Sequence, residues 1–392
     1  MSDKTPVKLR ALLKWPTSNI PLVFKVFRLC NCTQIFSCNV TYKFVLSKRT
    51  WIALIPLVLA LLTTLVHISG SLNWLQTNWS VKPPLENWRF VLVGYIGLLY
   101  GIIAVAILHA NRVIKDGVKM LNSCLESELK LIREGNVSRS NLYFVVIGGI
   151  LTLTFLTTPL LVGLMNLVQP CMPPLLSSVM ILDCKDWEHD GDSGFWMRLA
   201  LGIAEFYAWM LTIGMIGISV YITLLFPVEI KLLLLEVLVK KKPQLGSRLN
   251  RRELSLYRIL QLLSTYQNNA WCQPSMQLCI GGIVVCETVS LYILVTSYHR
   301  IPLSVLFVFI ICALDCGIVI QVIFNILSYP YTKSCDFIDS MKSVDGTKWV
   351  KYFMRSCQPS KLSMGDGGFF DRLTSFVLWQ LSINNLITLV LM

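Results

Sequence analysis

Charge is what this sequence has least of. Only 15% of its 392 residues are Asp, Glu, Lys or Arg, against 54% that are hydrophobic. A soluble domain of that length needs far more charge to cover its surface. Histidine is rarer still: His67, His109, His189 and His299 are the four in the chain, scattered too widely to bracket a metal. No cysteine spacing resembles a zinc or redox motif, so neither metal nor cofactor is expected, and no enzyme activity. The first fifty residues contain "IPLVFKVF" but neither an adequate apolar core nor a cleavage pattern, which argues against a signal peptide. Acid is the scarcer sign of charge, 22 residues against 35 basic ones, for a net +13. The basic excess is distributed as membrane topology demands, and nucleic-acid binding is not expected.

What the chain has in quantity is long apolar sequence, with a mean hydropathy of +0.61. Seven stretches are long enough to cross about 30 Å of hydrocarbon: 51–69, 90–110, 142–168, 195–226, 277–298, 302–327 and 371–392. The expected fold is all-α, a seven-transmembrane helical membrane protein set in a lipid bilayer. The fourth and sixth stretches exceed the ~20 residues a span needs, so they tilt or continue into a cytoplasmic helical bundle.

Basic residues alternate between the connections. Nine fall within 1–50, six within 111–141, and "VKKKPQLGSRLNRRE" lies in 227–276; the 328–370 connection adds six more. By contrast, 170–194 holds Lys185 against Asp183, Asp186, Glu188, Asp190 and Asp192. The positive-inside rule then places the N-terminus in the cytoplasm, and seven crossings place the C-terminus outside. This is opposite to a G-protein-coupled receptor, whose "DRY"-like and "NPxxY"-like elements are also absent. The sequon "NWS" makes Asn78 a candidate glycosylation site in the first external loop, while Asn31, Asn39 and Asn136 fall inside and should stay bare. Cys171 and Cys184 share the acidic external loop, where the alternatives are a disulfide and two free thiols.

The organisation that follows has four parts. Residues 1–50 form a cytoplasmic segment, and 51–327 carry six spans with an outer ligand cavity and cytoplasmic helical extensions. Residues 328–370 form a cytoplasmic connection with an inner assembly helix, and 371–392 the last span. The run 253–272 has apolar positions at helical spacing and reads as a downward extension of the fifth span. An amphipathic helix over 345–358 either lies on the bilayer surface or packs Trp349, Tyr352 and Phe353 inside the cytoplasmic bundle, against inner helices that include those of neighbouring subunits; the second is the expectation.

Polar groups inside the spans carry the functional signal. Glu205, Glu287 and Asp315 lie near mid-depth, where a carboxylate facing lipid is costly. Tyr207 and Trp209 accompany Glu205, and Tyr292 follows Glu287. Together they are candidate ligand-binding residues around an aromatic-lined outer cavity for a small organic molecule; a set of interhelical hydrogen bonds is the alternative. Three acids also permit proton- or ion-coupled transport, although no inverted repeat accompanies them. In the last span Gln380, Asn384 and Thr388 recur at steps of four and form one polar line. One chain can bury that line against its own helices, or symmetric copies can expose it to water as an ion path. In the second case Gln380, Leu381, Asn384, Ile387 and Thr388 are pore-lining, with Leu381 and Ile387 candidates for an apolar constriction.

The stretch "KYFMRSCQPSKLSMGDGGFFDRLTSF" (351–376) resembles the signature that precedes the last span in the insect chemoreceptor superfamily of odorant and gustatory receptors. It has a basic-polar-Pro element, a Gly before an aromatic pair, and then the final helix. "RSCQP" leans toward the odorant receptors and "FFDR" toward the gustatory ones. Where gustatory receptors close with Thr-Tyr and a later Gln, this chain has Asn384, Asn385 and Leu391, the pattern of a divergent member. The resemblance implies a ligand-gated, non-selective cation channel in the plasma membrane of chemosensory neurons, opened by an odorant or tastant and passing monovalent and divalent cations. It also implies a tetramer of same-family subunits, with itself or with a shared co-receptor.

Overall fold

The structure is a computed structural model that describes residues 36–38, 44–46, 51–79, 87–134, 141–173, 175–180, 182, 184, 187, 193–240, 251–342, 348–365 and 367–391. The basic run 241–250, the acids of 183–192 and Asn31, Asn39 and Asn136 lie outside them. Two three-residue strands, β1 (Phe36–Cys38) and β2 (Phe44–Leu46), pair antiparallel with Phe36 opposite Leu46. Everything else of regular structure among the described residues is helical.

The elements in order are α1 (Trp51–Asn78), α2 (Asn87–Arg133), α3 (Asn141–Val168), the short α4 (Leu176–Met180), α5 (Phe195–Ile218) and α6 (Phe226–Lys240). They continue as α7 (Arg251–Ala270), α8 (Ser275–Thr296), α9 (Leu303–Ile318), α10 (Phe324–Lys342), α11 (Lys348–Ser356) and α12 (Thr374–Leu391). Six helices, Ile55–Asn78, Asn87–Arg133, Val146–Val168, Ser275–Thr296, Leu303–Met341 and Thr374–Leu391, are long and apolar enough to cross a membrane. The remaining expected span, the fourth, is helical as α5.

The 111–141 connection is not a loop up to Arg133. It continues α2 without a break, since no proline interrupts 87–133, and a ~1.5 Å rise per residue makes such a helix about 70 Å long, twice the hydrocarbon thickness. Met120, Leu121, Cys124, Leu125 and Leu131 give the extension a buried face, packed on α6 and α7. The expected extension of the fifth span differs in the other direction. α7 and α8 are separate helices, because Pro274 lacks an N–H and restricts the residue before it.

Both long spans change pitch on leaving the apolar zone, through π-helical turns at Ser219–Leu225 and Val319–Ile323. In the fourth the cause is local. Pro227 has no N–H to offer Thr223 O four residues back, and that carbonyl takes a side-chain donor. Trp271 Nε1 supplies it at 3.1 Å, and Gln267 Nε2 donates to Leu224 O at 2.9 Å. Two side chains of the α7–α8 region thus repair the backbone of the fourth span and tie the two segments together.

Two apolar cores result. The larger fills the end of the molecule that carries the basic connections, drawing on α2, α6, α7 and α10. The smaller lies at the end that carries the acidic loop and gathers Trp88, Leu92, Met172, Trp187, Ile293 and Phe309 among others. There Arg89 lies over the rings of Trp88 and Trp187, 5.5 and 5.1 Å from their centroids, in an aromatic collar of the kind that marks a membrane–water boundary. α3 and α5 cross closely because glycine meets glycine. A Cβ on Gly202 would stand 2.9 Å from Gly163 O, and small residues are what let transmembrane helices approach so near.

Candidate pore helix and the polar groups of the spans

The glycine-rich stretch before α12 is a turn that aims the helix. Phe370 N donates to Leu362 O at 3.0 Å and Met364 N to Gly368 O at 2.9 Å, closing a tight reversal. Gly365 and Gly367 have φ of +98° and +89°, values that side chains with a Cβ rarely adopt. The aromatic pair then anchors both sides. Phe370 is fully buried against Phe324, whereas Phe369 packs on Tyr331 beneath the Lys361 ammonium, 4.4 Å from its ring centre. Asp371 caps the helix: its Oδ1 accepts from Leu373 N at 3.0 Å and Thr374 Oγ1 at 2.8 Å.

Only one face of α12 packs on this chain. Thr374, Ser375, Leu378 and Ser382 are buried, Ser382 O accepts from Thr288 Oγ1 of α8 at 3.4 Å, and Trp379 Nε1 donates to Gln321 Oε1 at 3.2 Å. At 100° per residue, Gln380 stands ~200° round the helix from Ser382. Gln380, Asn384 and Thr388 are all exposed, with Leu381 and Ile387 beside them at 46% and 51%. Burial of the polar line inside one chain is therefore not what the fold does. Thr388 Oγ1 donates back to Asn384 O at 2.9 Å, which leaves the hydroxyl oxygen's lone pairs pointing outward.

The three mid-span acids go to three different places. Glu205 is wholly buried and fully matched: Trp209 Nε1 donates to its Oε1 at 3.0 Å, Leu176 N to its Oε2 at 3.0 Å, and His67 Nε2 lies 3.0 Å from Oε1. The other nitrogen of His67 faces Thr63 O at 2.8 Å, and its ring stacks on Tyr100 at 4.1 Å. Asp315 accepts from Thr154 Oγ1 of α3 at 2.9 Å. Glu287 is buried, with Oε1 3.9 Å from the place a Cβ on Gly317 would occupy, beside Trp379 of the last helix.

Of the aromatic candidates, Trp209 and Tyr292 border the smaller core, and with Tyr95 and Phe309, whose ring centres are 6.3 Å apart, they form its aromatic flank. Tyr207 does not join them. It lies two residues from Glu205, ~200° round the helix, and is 41% exposed on the outer side. His67, Tyr95 and Trp187 are partners the sequence reading did not select; a lone histidine in the first span was the available signal for the first of these, since intramembrane ionisable groups pair with one another. Cys171 and Cys184 stand as a disulfide, their Cα atoms 5.4 Å apart. Asn78 is the last residue of α1, and its Nδ2 donates to Trp74 O at 2.8 Å. In α11, Phe353 packs under Arg258 at 4.7 Å. Trp349 and Tyr352 are 59% and 68% exposed on this chain, which meets α11 through Met354, Phe353 and Ser356, whose Oγ accepts from Arg258 at 3.4 Å.

The chain is a multi-pass, helical membrane protein. No family model matches it, and no curated protein does. Solved structures do: the insect olfactory receptor OR5 from Machilis hrabei aligns with a TM-score of 0.63 at 10% identity, covering 98% of each chain. The same receptor in complex with eugenol aligns with a TM-score of 0.60, also at 10% identity and 98% of each chain. At that identity the likeness is one of fold, and it extends over the whole molecule.

Proposed function

We propose that this protein is a subunit of a ligand-gated cation channel of the insect chemoreceptor superfamily, opened by a small organic molecule. The carrying observation is the polar line Gln380–Asn384–Thr388, which lies on the side of α12 turned away from its own chain. Three polar groups on the open face of a transmembrane helix need water or polar partners. Symmetric subunits, four in this reading, supply water around a central axis, with Leu381 and Ile387 as the ring that closes it by dewetting. The full-length likeness to an olfactory receptor supports the same arrangement. That one structure of that receptor holds eugenol makes a small aromatic compound a reasonable first ligand class. Tyr292 and Trp209, flanking the smaller core, are the contacts assigned to it.

Orientation belongs to this reading. An oxidised Cys171–Cys184 pair belongs in an oxidising compartment, and the basic connections belong in the cytoplasm. Both support a reading with the N-terminus inside and the C-terminus outside; in it the channel sits in the plasma membrane, and 328–370 and the extended helices are the inner assembly region. The test is current recording with cysteines placed singly from Val377 to Leu391 and a water-soluble thiol reagent outside. Block should recur with helical spacing and include 384 and 388. Ligand-evoked current indifferent to reagent along the whole helix, despite labelling, overturns it. Ligand uptake without channel-sized current would move the chain to the coupled-transporter class.

A further inference from the structure

We infer that Cys286, Cys312 and Cys316 form a binding site for a thiophilic cation of the zinc(II) and cadmium(II) class within the spans. The three residues come from two helices. Cys312 and Cys316 stand one turn apart on α9, and Cys286 faces them from α8. Their sulfur atoms all lie within 4.8 Å of one another. A zinc ion with bonds of about 2.3 Å to three sulfurs in tetrahedral array sets them ~3.8 Å apart, so the cluster needs to close by roughly one ångström. A fourth donor is at hand, since Tyr95 Oη of α2 lies 2.9 Å from Cys286 Sγ and 3.6 Å from Cys312 Sγ.

The donor set and its surroundings select the cation. Sulfur ligands favour soft and borderline metals over magnesium, calcium or sodium. Two thiols each lose a proton to water and give the sulfur electron pair to the metal, while the third thiol stays neutral. Two thiolates and one divalent ion then sum to zero charge, the state a low-dielectric interior tolerates best. Cys316 is buried, and Cys286 and Cys312 are part-buried. The other free cysteines of the described residues do not gather in this way. An ion held here fastens α8 to α9. Because α8 also packs on α12, the site lies one helix away from the polar line, and the inference stands whether or not that line conducts.

The experiment uses the full chain in lipid nanodiscs, with the remaining free cysteines changed to alanine, the Cys171–Cys184 disulfide kept and oxygen excluded in place of a reductant. Cadmium titration should produce a thiolate-to-metal ultraviolet band that saturates at one ion per chain, together with a rise in melting temperature. C286S, C312S and C316S should each weaken binding tenfold or more, whereas Tyr95→Phe should do so less. No band, or an unchanged band in the triple serine variant, overturns the site. If a serine variant fails to fold, maleimide labelling of the wild-type chain decides. Zinc should protect 286, 312 and 316 together and leave the other thiols unchanged; protection of none of the three overturns the proposal.

Discussion

Two sets of polar groups sit inside the spans, and the fold treats them oppositely. Glu205 is sealed at 0% exposure, with His67, Trp209 and the Leu176 amide arranged around its two oxygens. The Gln380–Asn384–Thr388 line is exposed and has no such ring of partners. A buried carboxylate is tolerable only when each of its oxygens has a donor. That requirement makes the first set a lock between α1, α5 and the α4 turn. The second set, left open, is free to meet water or another subunit. Completeness of internal hydrogen bonding is what distinguishes Glu205 from the open polar line, which the proposed function assigns to the ion path.

The sharpest way to break this comparison is at the lock. Glu205→Leu leaves the Trp209 indole N–H, the Leu176 amide and the His67 ring without their common partner, and removing one partner of a buried pair costs about 3–5 kcal/mol. Melting temperature of the purified protein should fall sharply and surface delivery with it, while Glu205→Gln should retain more of both. A leucine variant as stable as wild type would show that the network contributes little.

A pH-dependent effect is expected from Lys231, buried outside the spans beside Cys124 on the α2 extension. Burial pushes its ammonium down from 10.5 to about 7, with Cys124 partly opposing. Below pH 7 both folded and unfolded chains hold the proton, and the full burial penalty stands. Between about pH 7 and 10.5 the unfolded chain keeps a proton that the folded chain has lost, so this residue's contribution raises stability with pH. The slope reaches at most about 1.4 kcal/mol per unit. Comparing Lys231→Met with wild type across that window should show the difference between them shrinking as pH rises; a constant difference would mean that the lysine titrates normally.

Asn384→Leu should do least to stability, within about 0.5 kcal/mol, as for other exposed positions. Its effect belongs in conduction, where a leucine on the polar line should reduce ligand-evoked current at unchanged surface expression. Loss of folding comparable to Glu205→Leu would erase the distinction between the two sets.

Much of this protein was legible in its residues because bilayer thickness and helical periodicity are both written along the chain. Apolar runs mark the spans, and the "GDGGFF" turn and the Gln380–Asn384–Thr388 register are local. That Tyr207 stands on a different side of α5 from Glu205 was also legible, since the two are two residues apart on one helix. What a linear reading lacks is the identity of neighbours distant in sequence. His67 meets Glu205 across 138 residues, Trp271 repairs the Thr223 carbonyl across 48, and Cys286 meets Cys312 and Cys316 through the pairing of α8 with α9. The sequence by itself determined that helices would cross a membrane, where they would run and which side of each would be polar. Only the tertiary structure decided which polar side would be covered, because covering depends on how the helices are rotated and paired, and that is settled by packing against one another.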